Sequence, residues 1–444
     1  MKENIVFFFS DQQRFDTLGC NGQILPITPN LDALAQEGVN FKSTFTAQPV
    51  CGPARACLQT GLYPTETGCY RNAVSLPLDA DTIARRMKQA GYHVAYVGKW
   101  HLASDEDENH YETGAVPLER RGGYDEYWRA ADVLEFTSHG YDGYIFDENN
   151  NKVEFKGYRA DCITDFALDY IKNYNDEKPF FLFISHIEPH HQNDRGDYEG
   201  PEGSKKRFAH FKQPNDLCRG IGDWEKYMPD YLGCCHALDD NLGKVVDALK
   251  AKGIYDNTTI FYASDHGCHF KNNTDIAPGG YDDYKRNSFE NTIHVPLIIK
   301  GKDFRGGKCE ERLVSLLDLP KTILEIGEAE IPQQMQGHSL LHLDTPSARK
   351  SVYIQISESY VGRAVRTERY KYVVWAPEKD PWNDSSSAIY TEKYLFDLQE
   401  DPFEKDNLLH SEAAQPVKEK LRQLLLAYAK EAHEGAIQIK ETVC

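Results

Sequence analysis

Five short apolar runs constrain this chain more than any other feature of it. They are NIVFFFSD (4–11), HVAYVGKWH (93–101), PFFLFISH (179–186), TTIFYASDH (258–266) and VPLIIKG (295–301). Runs this short and this rich in β-branched and aromatic residues read as strands buried on both faces. Helical patterns lie between them. TPNLDALAQEGV (28–39) and DADTIARRMKQAGY (79–92) each carry a glycine near the C-terminal side, and DYLGCCHALDDNLGKVVDALKAKGIY (230–255) is the longest. Strands alternating with helices predict an α/β fold around a mostly parallel sheet.

After about residue 343 the texture changes. SVYIQISE, GRAVRTERYKYVVWA and EKYLFDL read as short antiparallel strands, and AAQPVKEKLRQLLLAYAKEAH as a closing amphipathic helix. With 444 residues, 40% of them hydrophobic, the chain can bury more than one core. The expected division is a catalytic α/β unit over 1–342 and a smaller α+β unit over 343–444.

Four of the five strands close on polar groups: Asp11 with Gln12, Lys99 with His101, His186, and Asp265 with His266. In open α/β sheets ligands bind beyond the carboxyl ends of the strands. A polar residue at a strand end is usually the start of a loop, but four such ends with charged or ligating side chains point to one edge of the sheet. Asp11, Asp265 and the amide of Gln12 are hard oxygen donors suited to Ca²⁺, Mg²⁺ or Mn²⁺, and His266 adds nitrogen.

The 50 Lys+Arg against 69 Asp+Glu give a net charge of -19, which argues against nucleic acid or an anionic membrane surface as partner. The N-terminal apolar run covers only Ile5 to Phe9, too short for a secretory or spanning segment. A cytoplasmic protein is the expectation, with its 11 cysteines mostly thiols.

One cysteine stands out. In PVCGPARACLQTGLYPTETG (49–68), Pro53 marks a helix start, so Cys51 lies near a helix N-terminus with Arg55 one turn on. Exposed N–H groups and a fixed cation favour an anion there and lower a thiol pKa. Most buried cysteines are structural, and no neighbouring base is fixed by spacing alone. A plain thiol nucleophile is therefore incomplete on this reading.

The stretch CGPARACLQTG resembles the signature of the type I sulfatases of the alkaline-phosphatase-like superfamily: Cys or Ser, one residue, Pro, one residue, Arg, then a small helix and Thr-Gly. LFDLQEDPFEKDNL is similar to that family's C-terminal signature. The resemblance implies a sandwich with a large, mostly parallel central sheet and a C-terminal antiparallel one. It implies a maturation enzyme that oxidises Cys51 to formylglycine (3-oxoalanine). Asp11, Gln12, Asp265, His266 and residue 51 match the family's metal ligands, with Ca²⁺ favoured and Mn²⁺ or Mg²⁺ as alternatives. Arg55 matches the group that holds the modified residue. Lys99 and His101, from GKWH, match the sulfate-binding lysine and the histidine beside the formylglycine. Lys285, in KRNSFE, matches the second active-site lysine, and Asn72, in YRNA, an asparagine of some subgroups. Gln12, Asn72, Lys99 and Lys285 are the implied substrate contacts. SHIEPHH matches the region of the leaving-group histidine, with His186, His190 and His191 as candidates.

The mechanism so implied is attack on sulfur by a hydrated aldehyde, charge balance by lysines and arginine, protonation of the departing alcohol by a histidine, and release of sulfate with His101 as base. A serine could not eliminate in this way. Many members carry paired aspartates where this chain has Asp11-Gln12, and choline-sulfatase-like and phosphonate-monoester-hydrolase-like subgroups share the change. GKWH favours sulfate over phosphonate. Segments 102–160 and 190–231, rich in Tyr, Trp, His and charges, are expected to wall the pocket and suit a sugar ring. The expected activity is hydrolysis of a small carbohydrate sulfate monoester. The alternatives are a phosphonate monoester or phosphodiester hydrolase, and a non-catalytic anion-binding protein with Cys51 unmodified.

Overall fold

The computed structural model describes residues 2–345 and 348–442; residues 1, 346–347 and 443–444 of the expected 1–342 and 343–444 units lie outside the described part. Its centre is an eleven-stranded sheet. Six of the strands position the site: β1 (Asn4–Ser10), β2 (His93–Lys99), β3 (Tyr127–Ala131), β4 (Phe180–Ser185), β5 (Thr258–Ser264) and β6 (Leu297–Lys300). They lie in the order β6-β5-β1-β4-β2-β3, and β5 through β3 run parallel while β6 is antiparallel. Further strands extend both edges, antiparallel except Lys308–Glu310, which pairs parallel with Val39–Phe41. One hairpin, Asp142–Asp147 with Lys152–Lys156, lies in a segment expected only to wall the pocket. Its polar, partly exposed residues hide the strand pattern.

Alternation along β1 builds two cores. Phe7 and Phe9 face a layer that includes α2 (Cys51–Thr60), α3 (Ile83–Gln89) and α6 (Asp318–Ile326). Val6 and Phe8 face α1 (Pro29–Glu37), α4 (Arg159–Asn173) and α5 (Trp224–Ala251). Each fully buried Phe contributes roughly 1.5–3 kcal/mol of apolar burial, so a sheet this continuously apolar is held by two covered faces. Gly98 in β2 has φ +104, and a Cβ there would meet the Ser185 carbonyl oxygen at 1.9 Å. Glycine thus allows β2 and β4 to close immediately before Lys99.

The C-terminal strands Ser351–Ile356, Gly362–Thr367, Tyr370–Trp375 and Ile389–Asp397 form an antiparallel sheet, to which Gln438–Lys440 adds a parallel fifth. The helix α7 (Gln415–Glu431) covers one face through Leu421 and Leu425. Phe45 and Ile293 of the main body pack against Val352 and Ile354 on the other. No helix among the described residues is long and apolar enough to cross a membrane. Ten cysteines are free thiols, and the eleventh, Cys444, lies outside the described residues.

Candidate active site

Parallel pairing puts the ends of β1, β2, β4 and β5 at one edge, because Ser10 is level with Ser264 and Gly98 with Ser185. The chain leaves those strands with Asp11, Lys99, and Asp265 with His266, all buried. Cys51 is the first residue of α2, whose open N-terminus faces them. One ligand atom from each of Asp11, Cys51, Asp265 and His266 lies within 4.8 Å of the others.

Cations close around this group. Lys99 Nζ is 2.6 Å from Asp11 Oδ2, and Arg55 Nη2 donates to the same oxygen at 3.0 Å. Arg55 Nη1 donates to the Lys99 carbonyl at 3.0 Å and to Ser185 Oγ at 2.7 Å, which fixes the guanidinium between three strands. Lys285 Nζ is 3.2 Å from Cys51 Sγ, and His266 Nε2 is also 3.2 Å from it. Burial pushes the Cys51 thiol up, but Lys285, Lys99 and His266 outweigh it and hold the thiol well below its ordinary range. Asp11 is driven up by burial and by Cys51, yet Lys99, His190 and Arg55 keep it below the usual carboxylate range. Asp265 behaves oppositely: burial first, then Asp11, push its carboxyl up to about 6.

Asp265 Oδ2 is buried and has no hydrogen-bond partner. Two carboxylates, a thiol and an imidazole packed this tightly, with one orphaned oxygen, fit the donor set of a divalent cation. Gln12 lies beside them at φ 68, its backbone N–H donating to Asp265 Oδ1 at 3.0 Å. Its side chain ties two loops together: Oε1 accepts from the His191 N–H, and Nε2 donates to the Asp283 carbonyl, both at 3.0 Å.

Asn72 Oδ1 accepts from the Gly52 N–H at 2.9 Å and so caps the start of α2. His101 has φ 60, and its imidazole is among the groups that lower the Cys51 thiol. Its loop is held by Asp132, whose carboxylate accepts from the N–H groups of Leu102, Ala103 and Ser104.

The structure separates the three candidate leaving-group histidines. His190 Nδ1 is 2.6 Å from the His191 carbonyl. A carbonyl only accepts, so Nδ1 carries the proton and Nε2 faces Lys285 Nζ at 2.7 Å. His186 is not at this centre. It continues the alternation of β4 onto the α4 face, lies with its ring tilted 33° and 4.7 Å from that of Phe8, and meets Thr164 Oγ1 at 3.3 Å; burial takes its pKa down to about 4. His191 packs among Tyr198, Tyr227 and Tyr284, with Nδ1 on Asn193.

Three residues at the site were not read from the sequence. Asp283 Oδ2 is 3.0 Å from Lys285 Nζ and 3.9 Å from His190 Nε2. Arg286 lies beside it, and Glu358 reaches in from the C-terminal region, its Oε1 accepting from the Asn72 N–H at 2.6 Å. The aspartates ahead of Lys285 in YDDYKRN were a visible signal for an ion pair; Glu358 had none, because its contacts are all distant in sequence. Gln12, Ala73, His101, Asp283, Tyr284, Arg286 and Glu358 all have positive φ. Outside glycine such backbone costs about 1–3 kcal/mol each and persists only where the surroundings enforce it.

The sulfatase family model matches residues 3–329, and the model for the C-terminal region of N-sulphoglucosamine sulphohydrolase matches residues 279–431. An ulvan-active sulfatase of Formosa agariphila is 30% identical over 433 residues, covering 92% of this chain and 77% of that protein. An N-acetylglucosamine-6-O-sulfatase of Bacteroides thetaiotaomicron is 25% identical over 530 residues, covering 100% and 89%. The phosphonate monoester hydrolase of Agrobacterium radiobacter superimposes with a TM-score of 0.74 at 19% identity, over 97% of this chain and 96% of that one, a likeness of fold alone.

Proposed function

The chain belongs to the sulfatase family and is a sulfuric ester hydrolase, and from that premise we propose that it cleaves a sulfate monoester of a small carbohydrate at residue 51, matured from cysteine to formylglycine. The observation that carries this reading is the meeting of Lys285, His266 and Asp11 on Cys51 Sγ, at 3.2, 3.2 and 3.4 Å, with His190 beyond Lys285. The sugar-sulfate names of the relatives supply the substrate class.

Formylglycine supplies the nucleophilic oxygen, and a divalent cation, Ca²⁺ first, supplies Lewis acidity. Asp11, Asp265, His266 and residue 51 would hold that cation, with Gln12 Oε1 as a further donor. Lys99 and Lys285 face the sulfate oxygens from two sides, where fixed cations in a dry site offset the charge that develops on transfer. Arg55 orients residue 51 and neutralises Asp11. Asn72 keeps the α2 N-terminus in place. With both ring nitrogens protonated, His190 gives the departing alcohol its Nε2 proton, and His101 stands as the base beside residue 51.

Cation affinity follows Asp265. Its proton must leave before an oxygen can bind metal, and its pKa is about 6. The His266 proton must leave too, and although burial lowers its pKa, Asp265 and Cys51 raise it above the usual imidazole value; affinity therefore falls as pH drops below neutral and through 6, and at pH 5 protonation of Asp265 alone makes it about tenfold weaker. Calorimetric titration of Ca²⁺ into metal-free protein at pH 5 and 7.5 checks this, and equal affinities would contradict it.

Phosphonate monoester hydrolysis is the second reading, because Gln12 stands where a second acidic residue would add negative charge and because that hydrolase shares the fold. Rates on matched sulfate and phosphonate monoesters separate the two. The proposal expects a preference for sulfate; a large preference for phosphonate overturns it.

A further inference from the structure

Arg286 follows Lys285 and has no role in the chemistry described above. Its side chain is 4% exposed, a costly place for a cation unless it is paired. Nε lies 2.5 Å from Glu358 Oε2, a charge contact. Nη1 is buried and makes no hydrogen bond. Asp283 Oδ2 stands 3.5 Å from Nη1 but is already held by Lys285 Nζ at 3.0 Å.

The position of that orphaned donor matters. Lys285 Nζ, Arg286 Nη1 and His190 Nε2 all lie around the same Asp283 oxygen, at 3.0, 3.5 and 3.9 Å. Nη1 is thus on the side of the site where the alcohol departs, which the sugar ring must occupy. The backbone around it is built and fixed. Arg286 has φ 74, its N–H donates to the Pro49 carbonyl at 3.2 Å just before Cys51, and Ser359 Oγ donates to its carbonyl. Tyr281, 53% exposed, covers the guanidinium with its ring at 4.5 Å, so one face of the cation is closed.

We propose that Arg286 recognises a second anionic substituent, a carboxylate or another sulfate, carried by the sugar whose sulfate ester is cleaved. The proposal rests on the reading that residue 51 acts on a sugar sulfate. A guanidinium with an unused N–H beside a reacting centre suits an oxyanion, and a charge-assisted hydrogen bond there discriminates by about 10- to 100-fold. Glu358 holds Arg286 and Asn72 at once, so the same carboxylate sets this subsite and the capped start of α2.

The test is calorimetric binding to the full-length chain carrying Cys51→Ala, which cannot turn over. Two probe pairs are used: N-acetylglucosamine 6-sulfate against glucosamine 2-N,6-O-disulfate, and a 2-O-sulfated hexose against the matching 2-O-sulfated hexuronic acid. The doubly charged member of one pair is expected to bind about 10- to 100-fold more tightly. The pair that shows it tells a sulfate from a carboxylate. Adding Arg286→Gln is expected to abolish that ratio, and Arg286→Lys to keep part of it. Equal binding within both pairs, with Arg286 intact, overturns the proposal without any arginine variant having to fold. An unchanged ratio in folded R286Q overturns it too. Turnover is not needed for any of these readings, so matured protein that fails to cleave sulfate esters would count against the proposed function and not against the subsite.

Discussion

Cys51→Ala is expected to lower sulfate-ester turnover by about 10⁴-fold or more while inorganic sulfate still binds. Loss of a nucleophile in a unit that acts together costs on the order of 10⁴ to 10⁶ in kcat. The sulfate contacts survive the change, because Lys99 is anchored on Asp11 and Lys285 on Asp283, not on the sulfur alone. Steady-state rates on a sulfate ester, with calorimetric titration of sulfate, check both halves. Retained turnover would sink the formylglycine route. Loss of binding together with turnover would mean that the sulfur organises the pocket and would leave the catalytic role of residue 51 unsupported.

The second large effect belongs to His190. His190→Ala is expected to cost about 10²- to 10⁴-fold in kcat on a sugar sulfate, whose alcohol cannot depart without a proton. On 4-nitrophenyl sulfate, which releases a stable phenolate, the loss should be far smaller. The contrast between the two substrates separates proton donation from general damage to the site. His186→Ala should show no such contrast; it removes a ring packed on Phe8 and should cost roughly 1–3 kcal/mol of stability. A leaving-group contrast that follows His186 instead of His190 would overturn the assignment.

The edge of the sheet was legible because parallel pairing leaves little freedom. Once NIVFFFSD, HVAYVGKWH and TTIFYASDH are parallel neighbours, Asp11, Lys99 and Asp265 must emerge together. The placing of His186 away from this centre was legible too, from the pleat of its strand. In PFFLFISH, Leu182 and Ile184 share a face, and His186, two residues on, continues it toward α4. His190 could not be placed that way, since four residues of loop intervene.

Other features had no local signature. Nothing in SESYVG marks Glu358 as a partner of Asn72 and Arg286, which lie 286 and 72 residues away in sequence (358 − 72 and 358 − 286). Gln12 was read as a ligand because its amide oxygen suits a hard cation; the structure adds that both ends of that amide also tie loops, which a single residue type cannot reveal. The hairpin at 142–156 was missed because DGYIFDENNNKVEFK buries only Ile145, Phe146 and Phe155. A strand exposed on one side needs its partner's position before its pattern can be read.

The proposed chemistry depends on the state of residue 51, and peptide mass spectrometry across that position, on protein made in its native cell, reads it directly. Loss of the sulfur with gain of an aldehyde is the predicted result, and it leaves the sugar as the open question. An intact thiol in protein that nevertheless turns over sulfate esters would contradict the account, and would hand the reaction to the thiolate that Lys99, Lys285 and His266 hold in place.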